Sequence, residues 1–209
     1  MMMTLEELRK RLSGRLHAAD ISELCRMAQD EDGDGMKAGL LGFAGDEDRR
    51  VASNALWTFS YFGASARRWL QTRQAELIDM ALTAPDATSR RLLLTLLEHQ
   101  TFEAEALRTD FLDVCLSRLV SDTEPVAIRS LSMKIAYKMC LCYPELLEEL
   151  RMSIDMTASS PTDSAGLRSC RRKILRLIDR QGKSPGPHPG PPQGEGAYEM
   201  KGKDITSDI

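Results

Sequence analysis

Asp48-Arg49-Arg50-Val51-Ala52-Ser53-Asn54-Ala55-Leu56-Trp57-Thr58-Phe59 decides the fold. It opens on a carboxylate, where a helix macrodipole favours negative charge, and continues with apolar side chains at helical spacing. Val51, Ala55, Thr58, Phe59 and Phe62 form one stripe, while Arg50, Asn54, Trp57 and Tyr61 form a second. The pattern returns in Arg91–Leu97, Pro125–Lys134 and Ala165–Ile174. With Val51, Leu92, Ile128 and Leu167 as equivalents, the spacings are 41, 36 and 39 residues. Those lengths suit a unit of two helices, so the expected fold is all-α, an α-α superhelix in which each repeat buries its apolar face against the next.

The flanking sequence supplies the partners. Thr4 to Ala18 reads as an amphipathic helix with Leu5, Leu8, Leu12 and Leu16 on one face and a capping box from Thr4 to Glu7. Ile21 to Gln29 follows, capped by Asp20, and the Asp- and Gly-rich stretch 30–35 ends it. Four pairs come next: Met36–Ala44 with a long helix reaching Phe62; Ala66–Ala84 with Asp86–Gln100; Glu103–Val120, interrupted near Thr109-Asp110, with Glu124–Cys142; and Pro144–Met156 with Asp163–Arg180. Pro125 takes an N1-like position. Connections this short join antiparallel hairpins. After Arg180 the run Ser184-Pro185-Gly186-Pro187-His188-Pro189-Gly190-Pro191-Pro192 cannot hold a helix, so the expected organisation is one folded unit, 1–180, and a disordered tail, 181–209. Its PxxP match, Pro189 to Pro192, reads better as spacer than as ligand.

An acidic first turn, an apolar residue, a small residue four positions on and an apolar stripe beyond resemble the second helix of HEAT-type repeats. Asp48–Trp57 matches best and Glu124–Leu131 next. The resemblance covers roughly Met36 to Asp179, and the strings 51–57, 90–97, 110–116 and 128–137 are similar to a group of small, uncharacterised bacterial HEAT-like proteins. It implies an armadillo-like helical superhelix that acts in protein interaction. Gly166 and Arg171 depart from the pattern, which suggests that the last copy is an atypical cap.

Composition narrows the function classes. The 209 residues are 42% apolar and 28% charged with a net charge of −3, so the total exerts no bulk pull toward nucleic acid or anionic membrane. Aromatics are 5%, which favours helix over sheet. Neither a signal-like h-region nor a span-length apolar run occurs, so a soluble cytoplasmic protein without membrane association is expected. Cys25, Cys115, Cys140, Cys142 and Cys170 sit in apolar helical patterns and read as small core residues of a reducing compartment.

No motif calls for catalysis, metal or cofactor. Asp30-Glu31-Asp32-Gly33-Asp34-Gly35 starts like a calcium loop, but the twelfth position is Leu41 where a bidentate Glu is required. Cys140 and Cys142 are one residue apart, the three histidines are scattered, and neither a phosphate loop nor a nucleophile elbow is present. The expected protein is therefore not an enzyme.

The binding candidates lie on the second stripe. Arg50, Asn54, Trp57 and Tyr61 suit a peptide-reading surface, and the repeat offset extends them to Arg91, Lys134, Lys138 and Lys173. Second helices line the concave face in HEAT-type folds, so these residues would form a groove with a basic bias. The opposing reading is that Trp57 and Tyr61 fill the junction between repeats. The last helix gathers Arg168, Arg171, Arg172, Lys173, Arg176 and Arg180, which either contact phosphates or form a solvated helix face. A scaffold binding a protein or peptide is the expected function; a nucleic-acid-binding or DNA-repair solenoid is the alternative.

Overall fold

The computed structural model describes residues 3–30, 33–159 and 161–181, and all regular structure in them is helical. The helices are α1 (Leu5–Leu12), α2 (Ala18–Gln29), α3 (Asp34–Phe43), α4 (Arg49–Ser60), α5 (Ala64–Gln71), α6 (Gln74–Thr83), α7 (Ala87–Glu98), α8 (Thr109–Val120), α9 (Val126–Cys140), α10 (Leu147–Met156) and α11 (Ala165–Gln181). The expected tail lies, apart from Gln181, outside the described residues.

Two rows of helices make the superhelix. Helices α4, α7, α9 and α11 pack in succession as one row, and α6, α8 and α10 form the other; α1 and α2 close the N-terminal end against α3 and α4. Neighbours approach more closely in the first row, which makes it the inner side of the curve. Val51, Leu92, Ile128 and Leu167 are all buried, in keeping with the register read from the sequence. The last copy is not detached, because α11 packs along α9 and buries Leu167, Ile174 and Ile178.

Local chemistry sets the helix starts. Thr4 and Glu7 form the reciprocal capping box, with Thr4 N donating to Glu7 Oε2 at 2.8 Å and Glu7 N donating to Thr4 Oγ1 at 3.2 Å. Asp48 accepts from Arg50 N at 2.8 Å, and Asp86 accepts from Thr88 N at 2.9 Å and Ser89 N at 3.1 Å. Burial tends to raise the Asp86 pKa, but the bonds from Ser89 and Thr88 outweigh it and hold the group below its ordinary value of 3.8. A carboxylate with a depressed pKa stabilises the fold above its unfolded value and loses that contribution as pH falls through the folded one. Asp86→Ala therefore costs about 1 kcal/mol at neutral pH, and the gap to the parent narrows as the pH drops below about 4. Urea unfolding at pH 7 and pH 3 checks this; an unchanged gap would contradict the cap's ionic character.

Several boundaries differ from the sequence reading. The first helix stops at Leu12, and α2 starts at Ala18 because Asp20 caps from inside the first turn, accepting from His17 N at 2.8 Å. Pro125 is the N-cap of α9, one position earlier than expected. The stretch Ala66–Ala84 divides into α5 and α6 at Thr72-Arg73. There Gln71 and Gln74 both donate to Thr101 O, at 3.0 and 2.7 Å, and Gln71 Oε1 accepts from Thr101 N at 3.0 Å. The break lets two glutamines clamp the connection that leaves α7, a tertiary gain that local propensity does not express.

Arginines tie successive repeats. Arg49 and Arg90 each stand two residues before a core equivalent and reach the start of the next inner helix: Arg49 pairs with Asp86 at 3.6 Å, and Arg90 with Glu124 at 3.2 Å. Arg129 is fully buried and joins Leu119 O, Asp122 and Thr162.

All five cysteines are free; Cys25, Cys115 and Cys140 are buried and the other two half-buried. Burial pushes the Cys115 and Cys140 thiols up to about 12 and raises Cys25, Cys142 and Cys170 as well. Since thiolate is the reacting form, Ellman's reagent at pH 7.5 will titrate at most Cys142 and Cys170 in the native protein and all five thiols in guanidinium. Rapid native labelling of Cys115 would contradict the packing.

Candidate functional site

Because the stripe of Val51, Ala55, Thr58, Phe59 and Phe62 is buried between the rows, the opposite stripe of α4 lies on the inner surface. At the junction with α7 it borders a groove of about 330 Å³. Ser53, Asn54, Trp57 and Ser60 form one wall; Thr88, Arg91, Leu92 and Thr95 form the other. Ser60 and Thr95 also line a smaller cavity of about 40 Å³, which continues the groove toward Arg67, His99 and Gln100. Across both spaces the lining residues include no carboxylate.

The structure distributes the predicted residues unevenly. Trp57 is half-buried in the groove wall, and its ring meets Tyr61 edge to face at 6.3 Å between centroids. Tyr61 is 43% exposed and lies outside the residues that line the groove. Asn54 borders the groove, but its amide donates to Leu12 O at 2.7 Å and Gly14 O at 3.2 Å. It ties down the end of α1, whose last carbonyls have no partner within the helix. Arg50 is exposed in the first turn of α4 and lies outside the lining. Arg91 is exposed on the facing wall and makes no ion pair with a described residue.

The rest of the basic ladder is engaged elsewhere. Glu98 stands where the repeat places Trp57 on α4, and it pairs with Lys134 at 3.7 Å. Lys138 donates to Glu98 O and, at 3.2 Å, to Gln100 O, so it caps the C-terminal end of α7 from the neighbouring helix. These bonds bridge the α7–α9 junction where the α4–α7 junction stays open. Lys173 lies exposed on α11, two junctions from the groove. On α11, Arg168 and Arg171 are held by Asp163 at 3.7 and 3.3 Å. Arg172, Lys173 and Arg176 pair with no described residue.

Sequence reasoning missed Arg67, His99 and Gln100. Arg67 comes from α5, whose separation from α6 was not foreseen. Gln100 follows the end of α7 and is 5% exposed. Its Nε2 donates to Leu70 O at 3.2 Å, while its Oε1 is buried without a hydrogen-bond partner. A polar residue just past a helix end carries no sequence signal of burial; the turn that the Gln71 and Gln74 clamp builds encloses it.

Among the described residues, no group of His, Cys, Asp and Glu is placed to hold a metal ion. No described helix is long and apolar enough to cross a membrane. Stacked helix pairs with an open inner junction define the class as a helical-repeat scaffold. More particularly, a family model described as a HEAT repeat domain matches residues 8–178, and the chain belongs to that family. Neither the curated proteins nor the solved structures contain a match.

Proposed function

We propose that this HEAT-repeat protein is a non-enzymatic scaffold that holds a segment of a partner protein in the α4–α7 groove of its inner face. One observation carries the reading: the α4–α7 junction is open and walled by Trp57 and Arg91, whereas Lys134, Lys138 and Glu98 bridge the equivalent α7–α9 junction. A half-exposed aromatic beside an unpaired guanidinium is the kind of anchor on which interface energy concentrates. A reducing compartment, the cytoplasm, suits five free thiols. Binding requires no cofactor.

The test is affinity capture from native extract with the full chain, its Trp57→Ala variant and a nuclease-treated arm. A partner retained by the parent, lost by at least about tenfold with Trp57→Ala and indifferent to nuclease supports the groove. Equal capture by both chains overturns it. The second reading, nucleic-acid binding, rests on Arg172, Lys173 and Arg176, which form an unpaired basic face on α11. A duplex retained at low salt and released as salt rises would favour it, provided that reversing these three charges abolishes retention.

A further inference from the structure

We infer that the α4–α7 groove takes an acidic protein segment, bound as an extended strand whose carboxylates meet Arg91 and Arg67; this rests on the groove reading above. Asp and Glu outnumber Lys and Arg, 31 to 28, yet no carboxylate lines the groove or the cavity that continues it. Arg91 lies on the α7 wall and Arg67 at the far end, and neither pairs with a described residue. Two such guanidiniums on a largely uncharged lining complement a chain with spaced carboxylates. A basic segment would find no counter-charge on either wall.

Gln100 offers an acceptor at the far end of the groove. Its Oε1 is an unpartnered acceptor in a residue that is 5% exposed and lines the end cavity, so a donor is needed there. A peptide N–H, or a water held in the cavity, can donate to it. Trp57, half-buried in the α4 wall, offers an aromatic contact for one side chain of the segment. The repeat supplies a reason for the confinement to one junction: at the next, Glu98 replaces Trp57 and neutralises Lys134.

Fluorescence anisotropy with three fluorescein-labelled probes of equal length tests this: a peptide mixture rich in Asp and Glu with one Leu or Phe, the same mixture with Lys for each acid, and an oligothymidylate. The acidic mixture binds the full chain, binding weakens with salt, and Arg91→Glu and Arg67→Glu each raise its apparent Kd about tenfold. Gln100→Leu raises it too, without affecting a control probe held by an added affinity tag. Stronger binding of the basic mixture or the oligothymidylate, or no loss in either charge reversal, overturns the inference. Its failure is separable from that of the groove: a partner captured from extract through Trp57 but equally by the Arg67→Glu, Arg91→Glu chain leaves the groove standing and removes the acidic preference.

Discussion

Arg129→Leu lowers the unfolding free energy by about 3 kcal/mol, seen as a fall in the urea midpoint with the slope unchanged. The guanidinium is completely buried and holds three segments together. Nε donates to Leu119 O at 3.1 Å at the end of α8; Nη1 donates to Thr162 Oγ1 at 2.6 Å before α11 and approaches Asp122 Oδ1 at 3.3 Å in the turn between α8 and α9. A leucine deletes every donor and, three heavy atoms smaller, leaves part of the buried guanidinium's space unfilled. The Leu119 carbonyl, in the last turn of α8, then loses its donor. Replacing buried ionic groups with apolar ones is harmless only when all partners are replaced together, and a backbone carbonyl cannot be. Asp122 contributes little to the cost, because it is 44% exposed and water hydrates it once Arg129 is gone. Asp122→Asn should therefore cost under about 1 kcal/mol. Equal losses in the two variants would show that the ion pair, rather than the carbonyl, is what matters.

Glu124→Gln is expected to cost about 2–3 kcal/mol, for a different reason. Glu124 stands between Arg90, with Nε at 3.2 Å, and Arg118, with Nε at 3.9 Å. The three side chains are 14%, 22% and 13% exposed, so the cluster already holds one cation more than it balances. Burial drives the Arg118 pKa down, partly offset by Glu124, and Arg118 Nη1 has no hydrogen-bond partner. Without the carboxylate, two guanidiniums face each other with little water. Removing Arg90 as well relieves that repulsion, so Arg90→Met with Glu124→Gln should be less destabilised than Glu124→Gln alone. Simple addition of the two single-variant losses would rule out the coupling.

These clusters lie where the repeat copies meet, and they show why the sequence was readable in some places and silent in others. The apolar equivalents Val51, Leu92, Ile128 and Leu167 follow one rule, burial at helical period, and that rule is local. Asp48 and Asp86 as helix starts are local too. The separation of α5 from α6 was not local, since Gln71 and Gln74 gain their partner thirty and twenty-seven residues away at Thr101. Nor was the division of labour along the second stripe. Asn54 and Lys138 have the polarity of binding residues, yet each caps a helix end on another element. Trp57 and Arg91 keep free surface because no such end lies opposite them.

The chain by itself determined the helical class, the number of repeat pairs and the face each second helix turns to the core. Those follow from periodicity and capping within a dozen residues. Tertiary structure decided which inner junction is open, which cations are unpaired and where Gln100 is enclosed. Each depends on the distance between side chains about forty residues apart, and a repeat sets that distance through packing, not through the order of its own residues.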